Sequence, residues 1–120
     1  MFKKALCSLL AIVGVTAAVF AYSYDTNLPL PGKSIADKQL QEDTLFTAYM
    51  FAHRVATPDC QSFAIVDTVV SEEKVDNKWQ ETWTIKACTK TATVPINFEI
   101  KENGATYAID PMGVRVVTEK

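Results

Sequence analysis

Between Ser34 and Ala56 the apolar positions fall three and four apart. Leu45, Ala48, Tyr49, Ala52 and Val55 form one stripe, which Phe46, Met50 and Phe51 broaden. That spacing predicts an amphipathic helix with one face against a core. Ser34, with Asp37 three residues later, can cap its start, and Asp43 offers a second start. His53 and Arg54 stand in the last turn, where cations suit the helix dipole. Pro58 in "TPDC" stops the helix.

After Cys60 the period changes. "SFAIVDTVVS" (Ser62 to Ser71) is rich in β-branched residues and apolar on both faces, as in a central strand. "EEKVDNK" is a charged turn. "KWQETWTIKACTK" (Lys78 to Lys90) alternates: Trp79, Trp83, Ile85 and Ala87 share one face, Gln80, Thr82, Thr84 and Lys86 the other. "TVPINFEIK" sets Val94, Ile96, Phe98 and Ile100 against Pro95, Asn97, Glu99 and Lys101, with Pro95 suggesting an edge or a strand start. "ENGA" holds the Asn-Gly hairpin signal, "TYAID" returns as the next strand, and Val114 to Thr118 is a short fifth strand or a tail.

The predicted fold is α+β: one amphipathic helix on a four-stranded, with the last segment five-stranded, antiparallel meander. Strict alternation puts Cys88 on the face opposite Trp83 and Ile85. A strand end or bulge near Ala87 is therefore expected. The element order resembles the cystatin-like and nuclear-transport-factor-like α+β folds. The cystatin Gln-x-Val-x-Gly signature is absent, so no functional residue carries over. "WTIKACTKTATVPINFEI" resembles the C-terminal half of small uncharacterised exported bacterial proteins, with a Trp-to-Cys strand followed by a Val-Pro-x-x-Phe strand; the likeness implies no activity.

The N-terminus changes the chemistry open to the chain. "MFKK" is a basic leader, "ALCSLLAIVGVTAAVF" an apolar run, and Val19 to Ala21 a Val-x-Ala site. Residues 1–21 are therefore expected to be a secretory signal peptide cleaved after Ala21. The alternative is an uncleaved anchor, but Ala5 to Ala21 spans 17 residues, the short limit for a membrane helix. Cys7 lies too early in the run for a lipoprotein. Cleavage of 21 residues from 120 leaves 99, and loss of Lys3 and Lys4 takes the formal charge from −2 to −4. The three cysteines become two. Cys60 and Cys88, in an oxidising compartment, are expected to form a disulfide. The protein is thus expected in the periplasm or outside the cell, with no stable membrane insertion after cleavage.

Residues 22–33, with Pro29, Pro31 and Gly32, read as an extended arm before a single domain of residues 34–120. Tyr22, Tyr24, Leu28 and Leu30 either lie across that domain, dock on a partner, or fray. "PGKS" (Pro31 to Ser34) ends like a phosphate loop, but Asn27 stands where the motif needs glycine and no strand precedes it. His53 is the sole histidine, and no Gly-x-Ser-x-Gly elbow exists. One His and two Cys fall short of a zinc set, so neither metal nor cofactor is expected. Asp67 is a charge inside an apolar strand and is expected to face solvent or pair with a lysine. An acidic chain gives no electrostatic reason to bind nucleic acid.

These features lead to a small, non-enzymatic, exported bacterial protein that binds another macromolecule, a protein partner. Its candidate surfaces are the arm (Tyr22, Tyr24, Leu28, Leu30) and the outer sheet face (Thr82, Thr84, Lys86). The rival reading is a small-ligand pocket between helix and sheet, lined by Tyr49, Met50, Trp79, Trp83 and Phe98. A third is a hydrolase using His53 with Asp59 or Asp67.

Overall fold

A computed structural model describes residues 22–117; the expected signal peptide and Cys7 lie outside the described residues. The element order is β1 (Ser23–Tyr24), α1 (Lys38–Val55), β2 (Ser62–Val75), β3 (Lys78–Ala87), β4 (Lys90–Lys101), β5 (Gly104–Ile109), a 3-10 turn (Pro111–Gly113) and β6 (Arg115–Val117). The sheet order is β1-β2-β3-β4-β5, and β6 pairs with the first half of β4.

The α+β arrangement of one helix on one sheet agrees with the sequence reading, but the sheet is mixed rather than wholly antiparallel. β1 runs parallel to β2, pairing Ser23 with Ser62 and Tyr24 with Phe63. Two residues, Ser23 and Tyr24, are too short a pattern to read as a strand. β6 sits at the expected C-terminal segment, yet pairs Thr93 with Arg115 and Thr91 with Val117 on β4 instead of extending the meander past β5. β5 covers β4 only from Ile96 to Lys101. The change of partner falls at Val94 and Pro95, and Pro95 has no N–H to offer a ladder there. Pro95 therefore marks neither an edge nor a strand start, but a gap in the middle of β4.

α1 starts later than Ser34. Asp37 is the N-cap, its Oδ1 accepting from the Leu40 amide at 2.8 Å, while Ser34 Oγ accepts from the Ala36 amide in a local turn. The buried face comprises Leu40, Gln41, Thr44, Leu45, Ala48, Tyr49 and Ala52. It packs on the inward residues of β3 and β4: Trp79, Trp83, Ile85, Val94, Ile96 and Phe98. Each such large apolar side chain contributes about 1.5–3 kcal/mol when fully buried.

β2 is longer than its apolar run suggests. It continues through the charged "EEKV" to Val75, and the turn is reduced to Asp76 and Asn77, with φ of 54° and 64°. Positive φ at both turn residues matches the right-handed twist of a two-residue hairpin, and Asp and Asn tolerate it. A register shift between Ile65 and Asp67 inserts one residue. Phe63 and Ile65 point inward before the bulge, Thr68 after it, and Asp67 is left exposed. Asp67 Oδ1 accepts from its neighbour's amide, Thr68 N, at 3.0 Å; no lysine meets it.

β3 ends at Ala87, as the alternation requires. Cys88 follows in the two-residue turn to Lys90 with φ of 59°, and this left-handed backbone re-aims its side chain. Cys60 and Cys88 form the disulfide, with Cα atoms 5.8 Å apart. The bridge joins the β3–β4 turn to the start of β2.

The arm belongs to the folded unit. The Lys33 amide donates to the Thr68 carbonyl at 2.7 Å, Thr68 Oγ1 donates to the Pro31 carbonyl at 2.8 Å, and the Ser34 amide donates to Thr68 Oγ1. Gly32, with φ of +104°, passes so close that a Cβ there would lie 2.4 Å from Thr68 backbone atoms. The Leu30 amide donates to Gln41 Oε1, and Gln41 Nε2 donates to the Ala36 carbonyl.

Candidate binding face

The inner side of the sheet has little room for a ligand. Tyr49, Trp79, Trp83 and Phe98 are all buried, Trp83 entirely, and Trp79 stacks on Phe98 with centroids 5.1 Å apart. Met50 lies on the opposite side of α1 and is 51% exposed. The five residues expected to line a helix–sheet pocket therefore do not surround one cavity: Tyr49 and Trp83 are sealed in the core and Met50 faces solvent, while Trp79 and Phe98, also core, border a trough at the hairpin end of the sheet. Helical spacing alone does not separate Met50 from Tyr49, because a stripe broadened by Phe46, Met50 and Phe51 wraps most of the helix.

The core holds a carboxyl group that the apolar pattern does not reveal. Glu81 is fully buried between Trp79 and Trp83 on the inward face of β3. Its Oε1 accepts from Trp83 Nε1 at 2.8 Å, and its Oε2 accepts from Trp79 Nε1 and the Ile35 amide, both at 2.9 Å. A buried carboxyl is tolerated only when its oxygens are satisfied. The signal is legible in hindsight: in "WQETW" position 81 must face the same way as both tryptophans, each with one N–H to place.

The arm residues divide. Leu30 is only 7% exposed and Leu28 packs against the core, so neither offers a docking surface. Tyr24 is half-buried among Phe46, Tyr49, His53 and Phe63, and its hydroxyl meets His53 Nε2 at 2.7 Å. Burial, then the neighbouring Tyr22, raises the Tyr24 hydroxyl above its ordinary value of 10.0. Tyr22 caps the cluster edge-on to His53 and keeps 45% of its surface exposed. His53 thus faces a phenol. Asp59 is engaged by Thr57 and Asp67 by Thr68, so the structure assembles no His–carboxylate pair from these residues.

The outer sheet face brings the other candidates together. Register places Thr82 beside Val69 and Pro95, Thr84 beside Asp67 and Thr93, and Lys86 beside Ala64 and Thr91. Thr82, Thr84, Thr91 and Thr93 are half-buried, and their hydroxyls bond to no described residue. Toward the hairpin end, the same face sinks into an open trough of about 660 Å³. Its lining is Lys78, Asn97, Glu99, Thr106 and Ala108 of the outward face, with Glu72, Glu73 and Val75 of β2 along one side and Lys101 at the end, and Trp79, Phe98 and Tyr107 also border it. The trough has a sequence cause: β5 turns only the small Thr106 and Ala108 outward, while the register shifts around Glu72 bend β2. Glu72, Glu73, Lys78, Glu99 and Lys101 form no ion pair with any described residue. Alternation identifies the face, but the trough depends on strand curvature, which alternation does not report.

Among the described residues no helix is long and apolar enough to cross a membrane, and no cluster of three or more His, Cys, Asp or Glu could hold a metal ion. Comparison with protein-family models, curated proteins and solved structures finds no match to this chain.

Proposed function

We propose that this chain is a small exported protein without catalytic activity that binds another protein through the outer face of its sheet. The observation carrying this reading is the continuity of the four-threonine surface with the charged trough at its end. Threonine methyls and Val69 supply apolar contact, while uncommitted threonine hydroxyls and charges of both signs supply hydrogen-bonding specificity. Carboxylates and ammonium groups beside one another suit a polypeptide, which carries both signs and a backbone of alternating donors and acceptors. The disulfide and the leader sequence support an oxidising compartment, periplasmic or extracellular.

A second reading keeps the trough but changes its occupant to a small polar molecule, since about 660 Å³ lies within the size range of ligand sites. Its openness to solvent favours a protein segment, because small-ligand sites bury most of their ligand.

The test is capture from the native envelope and culture medium by immobilised processed protein. Thr84→Arg and Thr93→Arg place bulky charges at the centre of the face without touching the core, and Asn97→Arg fills the trough. Loss of a reproducibly captured protein with the first pair supports the reading. Equal capture by wild type and the Thr84→Arg/Thr93→Arg variant overturns it.

A further inference from the structure

Away from the sheet, the outward side of α1 carries a stripe that the binding face does not use. Gln39, Asp43, Phe46, Met50 and Arg54 follow one another at four- and three-residue steps, opposite the buried face of Leu45, Ala48, Tyr49 and Ala52. Phe46 is 49% and Met50 51% exposed, an unusual pair of large apolar side chains to leave in water side by side. Acid lies at one end of the stripe, at Glu42 and Asp43, and base at the other, at Arg54.

This order of charge is self-complementary. Turned end for end, a second helix presents base to acid and acid to base, with its apolar centre on the apolar centre. The register follows from position. Pairing Asp43 with the partner's Arg54 brings Phe46 within one residue of the level of the partner's Met50, both on the exposed stripe, and the same contact recurs across a two-fold axis. Asp43 and Arg54 are eleven residues apart, about 16 Å along a helix, so the two ion pairs flank the apolar contact. The side chains are partly arranged for this. Gln39 Nε2 donates to Asp43 Oδ1 at 2.8 Å and leaves Oδ2 open, and the Arg54 guanidinium rests over the Phe51 ring, 4.8 Å from its centroid.

We propose that the protein is a homodimer formed by antiparallel packing of α1 on α1 of a second copy, with Phe46 and Met50 at its centre and reciprocal Asp43–Arg54 ion pairs at its ends. The assembly would be a sheet–helix–helix–sheet sandwich that turns the two outer sheet faces away from each other and leaves both accessible. The dimer does not depend on those faces binding anything.

Sedimentation equilibrium of the full processed protein, across micromolar to millimolar concentration, tests it. A mass of two chains is expected. Met50→Glu and Phe46→Glu, both on exposed helix positions, should each weaken association about tenfold or more while near-ultraviolet circular dichroism stays native. Asp43→Arg should weaken it and shift its salt dependence, and adding Arg54→Asp should restore it, because the reversed pairs remain complementary. A mass of one chain at every concentration overturns the proposal, even if a different protein is found to bind the stripe. A dimer indifferent to Met50→Glu and Phe46→Glu, or a double charge reversal that fails to recover what Asp43→Arg lost, overturns the antiparallel helix register.

Discussion

One oxygen of Glu81 accepts the indole N–H of Trp83 at 2.8 Å, and both residues are wholly buried on the same strand face, two positions apart. With Trp79 and the Ile35 amide on the other oxygen, the carboxyl ties the segment before α1 to the middle of the sheet. Every donor reaching Glu81 is an N–H.

Glu81→Gln changes one oxygen to an NH₂ group, and either amide orientation then sets donor against donor. The expected cost is about 1–3 kcal/mol, the penalty of an unsatisfied buried polar group. Thermal unfolding, monitored by tryptophan fluorescence, checks it. A stability equal to wild type would mean the three bonds contribute nothing net.

Tyr49 supplies a second junction. Its hydroxyl donates to the Asp25 carbonyl at 2.6 Å and accepts from the Ile65 amide at 3.1 Å. The parallel ladder, whose preceding bond is Asp25 N to the Phe63 carbonyl, would otherwise join those two groups directly. Tyr49→Phe leaves both without that partner, and a loss of about 1–3 kcal/mol is expected by denaturant unfolding.

The same hydroxyl gives a pH dependence. Burial pushes Tyr49 up to about 12, with the Ile65 amide opposing and the Asp25 charge adding. The residue has no exposed surface, so solvent screens this little. The folded state therefore holds the proton where the unfolded chain releases it. The contribution is fully present below about pH 10 and is lost as pH rises through about 12, amounting to roughly 2–3 kcal/mol. Unfolding free energies measured from pH 9 to 12 should fall steeply for wild type and less so for Tyr49→Phe.

Gly32→Ala tests whether the arm is integral. The left-handed backbone and the 2.4 Å approach to Thr68 leave no space for a methyl group. A loss of more than about 2 kcal/mol is expected. Deleting residues 22–30 should likewise lower the melting temperature, since it uncovers the Leu30 site and removes the Asp25 carbonyl from Tyr49. Unchanged melting in both variants would show the arm to be an appendage.

Reduction of the disulfide, or Cys60→Ser with Cys88→Ser, should cost about 3–4 kcal/mol for a loop closed at a separation of 28 residues. Thiol titration of the unfolded, non-reduced protein should find neither Cys60 nor Cys88 reactive.

Local patterns are informative wherever one face of an element is buried. The period of four and three along Leu45 to Ala52, the alternation through β3 and β4, and the conflict between Cys88 and Trp83 each predict what the fold shows, the last because a turn must rotate a side chain that alternation misplaces. Pattern fails from Glu72 to Val75. That charged stretch reads as a turn, yet strand pairing there is held by backbone bonds, to which side-chain polarity is nearly indifferent. It fails again at Met50, because helical spacing gives the angle between residues and not which angle faces the sheet.

The order of one helix and a following antiparallel meander, the two sulfurs to be joined, and the inward faces of β3 and β4 were determined by the sequence itself, since each rests on short-range periodicity or on cysteine number. Tertiary structure alone decided that the arm becomes a parallel strand, that Glu81 and Tyr49 each join segments far apart in the chain, that β4 changes partners at Pro95, and that the outer face sinks into a trough. Those features depend on which distant backbone groups come within hydrogen-bonding distance, and distance across the fold is not written in the spacing of residues along it.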